Sequence, residues 1–201
     1  MRFGTIGAGT IGQALARHAL NAGYPVTLSN SRGPDTLTEL VAELGPLASA
    51  GTIAQAAEAD IVFLAVPWPE IPAALDGLPN WNNRILVDTT NVFTYSSGTP
   101  VPVDLGDQTG SEITAAHAPG ARVIKAFNTL YAKYIEPDPR HDAGRQVVFY
   151  AGDDVEAKGT FDALLNEFGF APVDIGTLSD GGRLMDVNSG PLSALHVLKQ
   201  D

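Results

Sequence analysis

Gly7-Ala8-Gly9-Thr10-Ile11-Gly12 is the stretch whose residue types and spacing point most directly to chemistry. In a G-x-G-x-x-G order the first glycine permits a tight turn and the second lets backbone approach a pyrophosphate. The third lets the next helix pack closely on the preceding strand. A helix starting here offers free N–H groups and the positive end of its dipole to phosphate oxygens. The pattern is common, so its setting matters. It follows the strand-type run Arg2–Ile6, opens a helical pattern and precedes a second strand-type run, Pro25–Ser29. That is the order of a dinucleotide-binding βαβ unit.

The end of the second strand then chooses between cofactors. NAD sites place a carboxylate there to accept from the ribose 2′-hydroxyl. This chain has Asn30-Ser31-Arg32, with no carboxylate before Asp35. A guanidinium pairs bidentately with a 2′-phosphate that a carboxylate would repel, and the Ser31 and Thr10 hydroxyls can donate as well. The expected cofactor is NADP(H), bound by Gly7, Ala8, Gly9, Thr10, Ile11, Gly12, Asn30, Ser31 and Arg32. Ala65, Val66 and Pro67, where the fourth strand ends, and Asn91, beyond the fifth, are expected beside the nicotinamide ribose. Trp68 and Asn128 are the candidates for substrate contact.

An acid–base constellation is harder to find. His18 lies on or beside the apolar stripe of the first helix, His117 sits among alanines in a predicted helix, and His141 lies in an acidic, proline-rich loop. No histidine pair has metal-ligand spacing, so no metal site is expected. Asp153-Asp154-Val155-Glu156 reads as a capping box rather than a metal site. Lys125, inside an apolar strand, is the one weak candidate for a tuned acid; its other reading is a side chain that snorkels outward. Hydride transfer between two bound redox rings depends on proximity, orientation and water exclusion, whereas reduction of a carbonyl usually calls for a proton donor too. A reductase whose acceptor is itself a redox cofactor need not have such a residue. A small carbonyl or imine, or a sensor that binds NADP(H) without turnover, are the alternatives.

The elements that must position these residues follow from periodicity. Short apolar runs at Arg2–Ile6, Pro25–Ser29, Ile61–Val66, Ile85–Thr89, Val123–Ala126, Val147–Ala151 and Ala171–Ile175, with a weaker one near Leu47–Ala50, alternate with amphipathic stretches. Such alternation predicts an α/β fold of Rossmann type, a doubly wound, mostly parallel sheet covered on both faces, with a short C-terminal βαβ extension. The expected organisation is one dinucleotide-binding domain over 1–201, in which 145–201 is a small extension carrying part of the substrate site. Ile11, Ala14, Leu15, His18 and Ala22 mark the first helix, closed by Gly23, and Gly33-Pro34 opens the second. Val92 to Gly110, rich in Gly, Pro, Ser and Thr, shows neither period and is expected to be a long binding loop at the carboxyl edge of the sheet.

Composition narrows the partners. With 23 acidic and 12 basic residues the formal charge is −11, which disfavours nucleic acid and anionic membranes. The chain has no cysteine, hence no disulfide, thiolate nucleophile or cysteine metal site. The longest apolar run, Ile61 to Val66, is far too short to span a bilayer. A cytoplasmic protein acting on a small molecule is expected, with a homodimer expected only from the habits of enzymes of this size.

Taken together, the glycine loop, Asn30-Ser31-Arg32-Gly33-Pro34, Leu64-Ala65-Val66-Pro67, Gly120-Ala121-Arg122-Val123-Ile124-Lys125-Ala126-Phe127-Asn128-Thr129 and Ala151-Gly152-Asp153-Asp154 resemble the NADPH-dependent coenzyme F420 reductase family. That family is similar to the nucleotide-binding domain of the six-transmembrane ferric reductases. The resemblance spans nearly the whole chain. It implies NADPH held by Gly7, Thr10, Gly12, Ser31 and Arg32, and direct hydride transfer to a deazaflavin (coenzyme F420) over the carboxyl edge of the sheet, where the ferric reductases use a flavin; a flavin or deazaflavin acceptor is therefore expected. The second cofactor would lie among Trp68, Asn91, the long loop and Gly190-Pro191-Leu192.

Overall fold

A computed structural model describes residues 1–200. β1 (Phe3–Ile6), α1 (Thr10–Asn21), β2 (Val26–Ser29), α2 (Thr38–Leu44) and β3 (Ala48–Ala50) form the first βαβαβ unit, with a 3-10 turn at Pro34–Leu37 leading into α2. α3 (Ile53–Ala57), β4 (Ile61–Leu64), α4 (Ile71–Leu75) and β5 (Ile85–Asp88) continue it, with a second 3-10 turn, Trp68–Glu70, before α4. Next come β6 (Phe93–Ser96), β7 (Thr99–Pro102), α5 (Gly110–His117), β8 (Arg122–Ala126), α6 (Ala132–Ile135) and β9 (Arg140–His141). β10 (Gly144–Gly152), α7 (Val155–Phe168), β11 (Ala171–Asp174), α8 (Asp180–Leu184) and β12 (Leu198–Lys199) end the described chain.

The main sheet runs β11-β10-β8-β5-β4-β1-β2-β3. It is parallel from β3 through β8. This is the Rossmann-type, doubly wound order. The strand order reverses between β1 and β4, and open sheets of this kind present their ligand crevice at the carboxyl ends there. β10 is antiparallel to β8 and parallel to β11, so β10-α7-β11 is the C-terminal βαβ unit. The only helix in the connection from β8 to β10 is the four-residue α6, which cannot run the length of the sheet. The chain therefore re-enters from the edge it left.

The strands read as unbroken apolar runs because both faces are covered. Ile61 and Phe63 of β4 point into one core with Phe3, Leu15, Leu28 and Phe161, while Val62 and Leu64 point into the other with Ile6, Ile71 and Trp81. α1 buries Ala14, Leu15, His18 and Ala19 along one stripe. α7 buries Ala157, Phe161, Leu164, Leu165 and Phe168 and stops at Gly169, whose φ of 95° suits a residue without Cβ.

Three sequence expectations need correction. Val92 to Gly110 is not an irregular loop: β6 and β7 pair as an antiparallel hairpin around Ser97 and Gly98, both at positive φ. The side chains of the two hairpin strands are exposed apart from a half-buried Phe93, so no apolar alternation betrays them. The expected capping box at Asp153–Glu156 is a single cap instead. Asp154 accepts from Ala157 N–H at 2.7 Å, and Asp153 accepts from Leu178 N–H at 2.9 Å, joining α7 to the loop before α8. His141 lies in the short strand β9 rather than in a loop.

Candidate active site

The glycine loop joins β1 to α1 with little slack. Gly7 has a φ of 103°, and a Cβ there would lie 2.2 Å from the Ala65 carbonyl oxygen at the end of β4. A Cβ on Gly12 would lie 2.1 Å from the Gly7 carbonyl oxygen. Around Gly9, by contrast, nothing lies within 4 Å of an added Cβ. Two glycines are thus required by the protein's own backbone, and the third leaves its approach open, as a passing pyrophosphate would need. Gly9 is the N-cap of α1 with no side-chain bond to the first helical N–H groups, which leaves them available to an anion. Gln13 Nε2–H donates to Ala8 O at 2.9 Å and braces the loop, a contact the motif does not announce.

Ser31 and Arg32 sit exposed beyond β2, beside this loop. The Arg32 guanidinium has no partner among the described residues, and its backbone N–H donates to Asn30 Oδ1 at 2.9 Å. Asn30 also donates to Thr36 Oγ1 at 2.9 Å, so its amide shapes the turn that presents Ser31 and Arg32. A cleft of about 360 Å³ runs past Gly7, Gly9, Asn30, Ser31 and Ala65–Pro67. A second, of about 240 Å³, is lined by Ile11, Trp68, Thr89–Asn91, Phe93 and Tyr95, and it shares the wall Ala65–Pro67 with the first. A third, of about 560 Å³, lies between the outgoing end of the hairpin and residues 182–189, with Asp104, Arg183 and Asp186 on its walls. These lining positions immediately precede Gly190-Pro191-Leu192.

Most of the expected site residues converge on the first two clefts. Asn128 stands one step behind. It is buried, its Nδ2–H groups donate to Asn91 Oδ1 at 3.1 Å and Met185 O at 2.8 Å, and Asn91 returns a bond to Asn128 O at 3.1 Å. Phe127, at a φ of 66°, makes the turn that aims Asn128 at Asn91. Lys125 is also behind the wall. It is buried, donates to Thr90 O, and lies 3.4 Å from Asp88 Oδ2. Asp88 is fully buried at the end of β5 and accepts from Thr90 N–H, Thr90 Oγ1, Ser111 Oγ and Thr114 Oγ1. Burial alone would raise its carboxyl pKa. The Lys125 charge and the bonds from Ser111 and Thr90 overcome that and hold it below the usual carboxylate value. Burial lowers the Lys125 pKa, with Asp88 opposing the shift. Asp88 and its hydroxyl partners were not legible as a unit, because they come from β5 and α5 on either side of the hairpin.

His18 does not face the clefts. Its ring lies against Phe168 and Phe170, and Nε2 is 2.5 Å from the Ile135 carbonyl, which fixes the proton on that nitrogen. Desolvation lowers its pKa despite that bond.

Residues 2–92 match the family model described as NADP oxidoreductase, coenzyme F420-dependent. Over its full length the chain is 37% identical to a hypothetical protein of known structure from Sinorhizobium meliloti, covering 96% of it with a TM-score of 0.91. The N-terminal part of the chain, residues 2–92, thus matches this family of NADP oxidoreductases. A putative F420-dependent NADP-reductase from Arthrobacter sp. is 26% identical, with 89% of this chain and 86% of that one covered and a TM-score of 0.72. Metalloreductase STEAP3 of Rattus norvegicus is 28% identical over 96% of this chain, and metalloreductase STEAP2 of Mus musculus 26% identical over 88%. The chain spans about a third of the length of these curated relatives, 37% and 33%. No helix among the described residues is long and apolar enough to cross a membrane. A reductive aminase from Aspergillus terreus, at 19% identity and a TM-score of 0.64, shares the fold. The family match ends at Val92, where the hairpin begins.

Proposed function

We propose that the chain is an NADP(H)-dependent reductase that passes a hydride to a flavin or deazaflavin ring. The observation that carries this reading is the shared wall Ala65–Pro67, which makes the glycine-loop cleft and the ring-side cleft neighbours along one edge of the sheet. An adenosine half fits over Gly7–Gly12, with Ser31 and Arg32 at its 2′-phosphate, and a nicotinamide half fits past Pro67 toward Thr89–Asn91. The open approach at Gly9 and the unpartnered Arg32 guanidinium are the features that fit the group.

When bound, NADPH would supply a hydride, which the oxidised ring of the acceptor would take up together with one proton from solvent, leaving NADP⁺. The protein's contribution is placement. The α1 N-terminus holds the pyrophosphate, and Ala65–Pro67 form the common wall. Trp68, Phe93 and Tyr95 give the ring-side cleft an aromatic lining on which a planar acceptor can stack. The larger cleft beside residues 182–189 has room for the rest of such an acceptor, which gives the 145–201 extension a part in the substrate site. Lys125 lines only a water-sized pocket of about 10 Å³ beside Thr90, Asn91, Asn128 and Asp186, not the ring-side cleft, and its ammonium is engaged by Asp88 and Thr90. That geometry disfavours it as the proton donor of a carbonyl or imine reductase.

The test is NADPH oxidation followed by absorbance with riboflavin, FMN, FAD and a deazaflavin offered separately, and NADH as control. Turnover with one of them and a strong preference for NADPH is expected. NADPH binding with no oxidation by any of the four would overturn the reductase reading in favour of a binding module.

A further inference from the structure

Asp88 is the last residue of β5, and neither of its oxygens faces a cleft. Oδ1 accepts from Thr90 N–H at 2.9 Å and Thr90 Oγ1–H at 2.7 Å. Oδ2 accepts from Ser111 Oγ–H at 2.7 Å and lies 3.4 Å from Lys125 Nζ; Thr114 Oγ1–H, 3.1 Å away, is shared with Gly110 O at 3.0 Å. Asp88 is 0% exposed, so it cannot touch a ligand. The groups it holds are placed differently. Thr90 lines the ring-side cleft, and Ser111 and Thr114 stand in the first turns of α5, where the chain returns from the hairpin. One carboxylate thus fastens the departure and the return of the whole hairpin excursion. Lys125 ties β8 to the same point by donating to Thr90 O.

The strands of the hairpin bury little of their own, and its other ties also lie at its root, where Asn91 pairs with Asn128 and Thr109 Oγ1 donates to Leu178 O. β7 is exposed throughout, and β6 buries none of its residues fully. Yet Phe93 and Tyr95 are the walls it lends to the cleft. Their position over the nicotinamide side is set at the root of the hairpin, where Asp88 is.

We propose that Asp88, paired with Lys125, is a positioning residue that fixes the ring-side wall of the cofactor cleft while leaving the adenosine side untouched. The chemistry calls for a carboxylate: four donors converge on two oxygens, with the Thr114 hydroxyl shared between Oδ2 and Gly110 O, and only an ionised acid accepts at every site. An amide there presents N–H to some of the donors and leaves Lys125 buried without its counter-charge.

This inference rests on the NADP(H) reading, and a probe lacking the nicotinamide separates the two. In Asp88→Asn, NADPH is expected to bind on the order of tenfold more weakly. In the same variant 2′,5′-ADP, which carries the adenosine and 2′-phosphate alone, keeps its wild-type affinity. The double variant Asp88→Asn with Lys125→Met removes both buried charges. It is expected to recover thermal stability without recovering NADPH affinity. Hydrogen exchange in the ligand-free protein reads the same device without any nucleotide: residues 89–111 should exchange faster in Asp88→Asn, and residues 7–31 as in wild type. NADPH affinity unchanged in a folded Asp88→Asn, equal losses for NADPH and 2′,5′-ADP, or faster exchange spread over both regions overturns the proposal. Should wild-type protein bind neither nucleotide, the NADP(H) reading fails, and hydrogen exchange still decides the role of Asp88.

Discussion

The two sides of the cleft are built in different ways. The adenosine side is made by one continuous βαβ unit. Gly7, Gly9, Gly12, Ser31 and Arg32 lie within a short stretch of chain; Gly7 and Gly12 pack on the protein's own backbone, while the approach to Gly9 and the Arg32 guanidinium are open. The ring side is assembled from the ends of β4, β5 and β8, the hairpin and residues 182–189, and its polar groups mostly hold one another. Local sequence makes the first, and long-range contacts make the second. Side chains at a site built the first way should act on ligand directly, and those at a site built the second way through geometry.

The largest effect expected on the adenosine side separates its glycines. Gly12→Ala places a Cβ 2.1 Å from the Gly7 carbonyl oxygen, so loop and helix must part. A loss of about 1–3 kcal/mol is expected from such overpacking, seen as a lower Tm, together with loss of measurable NADPH binding. Gly9→Ala meets open space, so Tm should hold while NADPH binding weakens. If calorimetry finds both variants equally unstable, the contrast between a packing glycine and an approach glycine is wrong.

Arg32→Ala should weaken NADPH by roughly 10- to 100-fold, as fits loss of a charge-assisted contact, with NADH affinity unchanged. Equal losses for both nucleotides in a fluorescence titration would show that Arg32 does not read the 2′-phosphate.

His18 offers a smaller effect, tied to pH. Its folded pKa is lowered from 6.5 by desolvation, so the unfolded chain binds the extra proton first as pH falls. The stability it contributes is complete above pH 6.5 and is lost as pH drops through the lower folded value. In His18→Gln, whose amide can still donate to Ile135 O, the fall in Tm on acidification through this window should be shallower than in wild type. Parallel curves would remove His18 from the account. The smallest stability effect belongs to the hairpin. Tyr95→Ala, at a 61% exposed position, should stay within about 0.5 kcal/mol of wild type by denaturant melt while raising KM for the acceptor. A large loss of stability would mean that the hairpin is part of the fold rather than a wall added to it.

What the sequence determined by itself is the strand alternation, the sheet class and the glycine loop that joins β1 to α1. These depend on neighbours within a few residues: β-branched runs, a glycine that must turn, an N-terminus of a helix. What only the tertiary structure decided is the ring side. The β6–β7 hairpin carries no buried face, so no periodicity reveals it. Lys125, legible only as an oddity in an apolar strand, acquires its meaning from Asp88, and Asp88 from Thr90 before the hairpin and Ser111 after it. Such a buried ion pair is a property of strands brought together by the sheet, and its members carry no mark of their partners until the chain has closed around them.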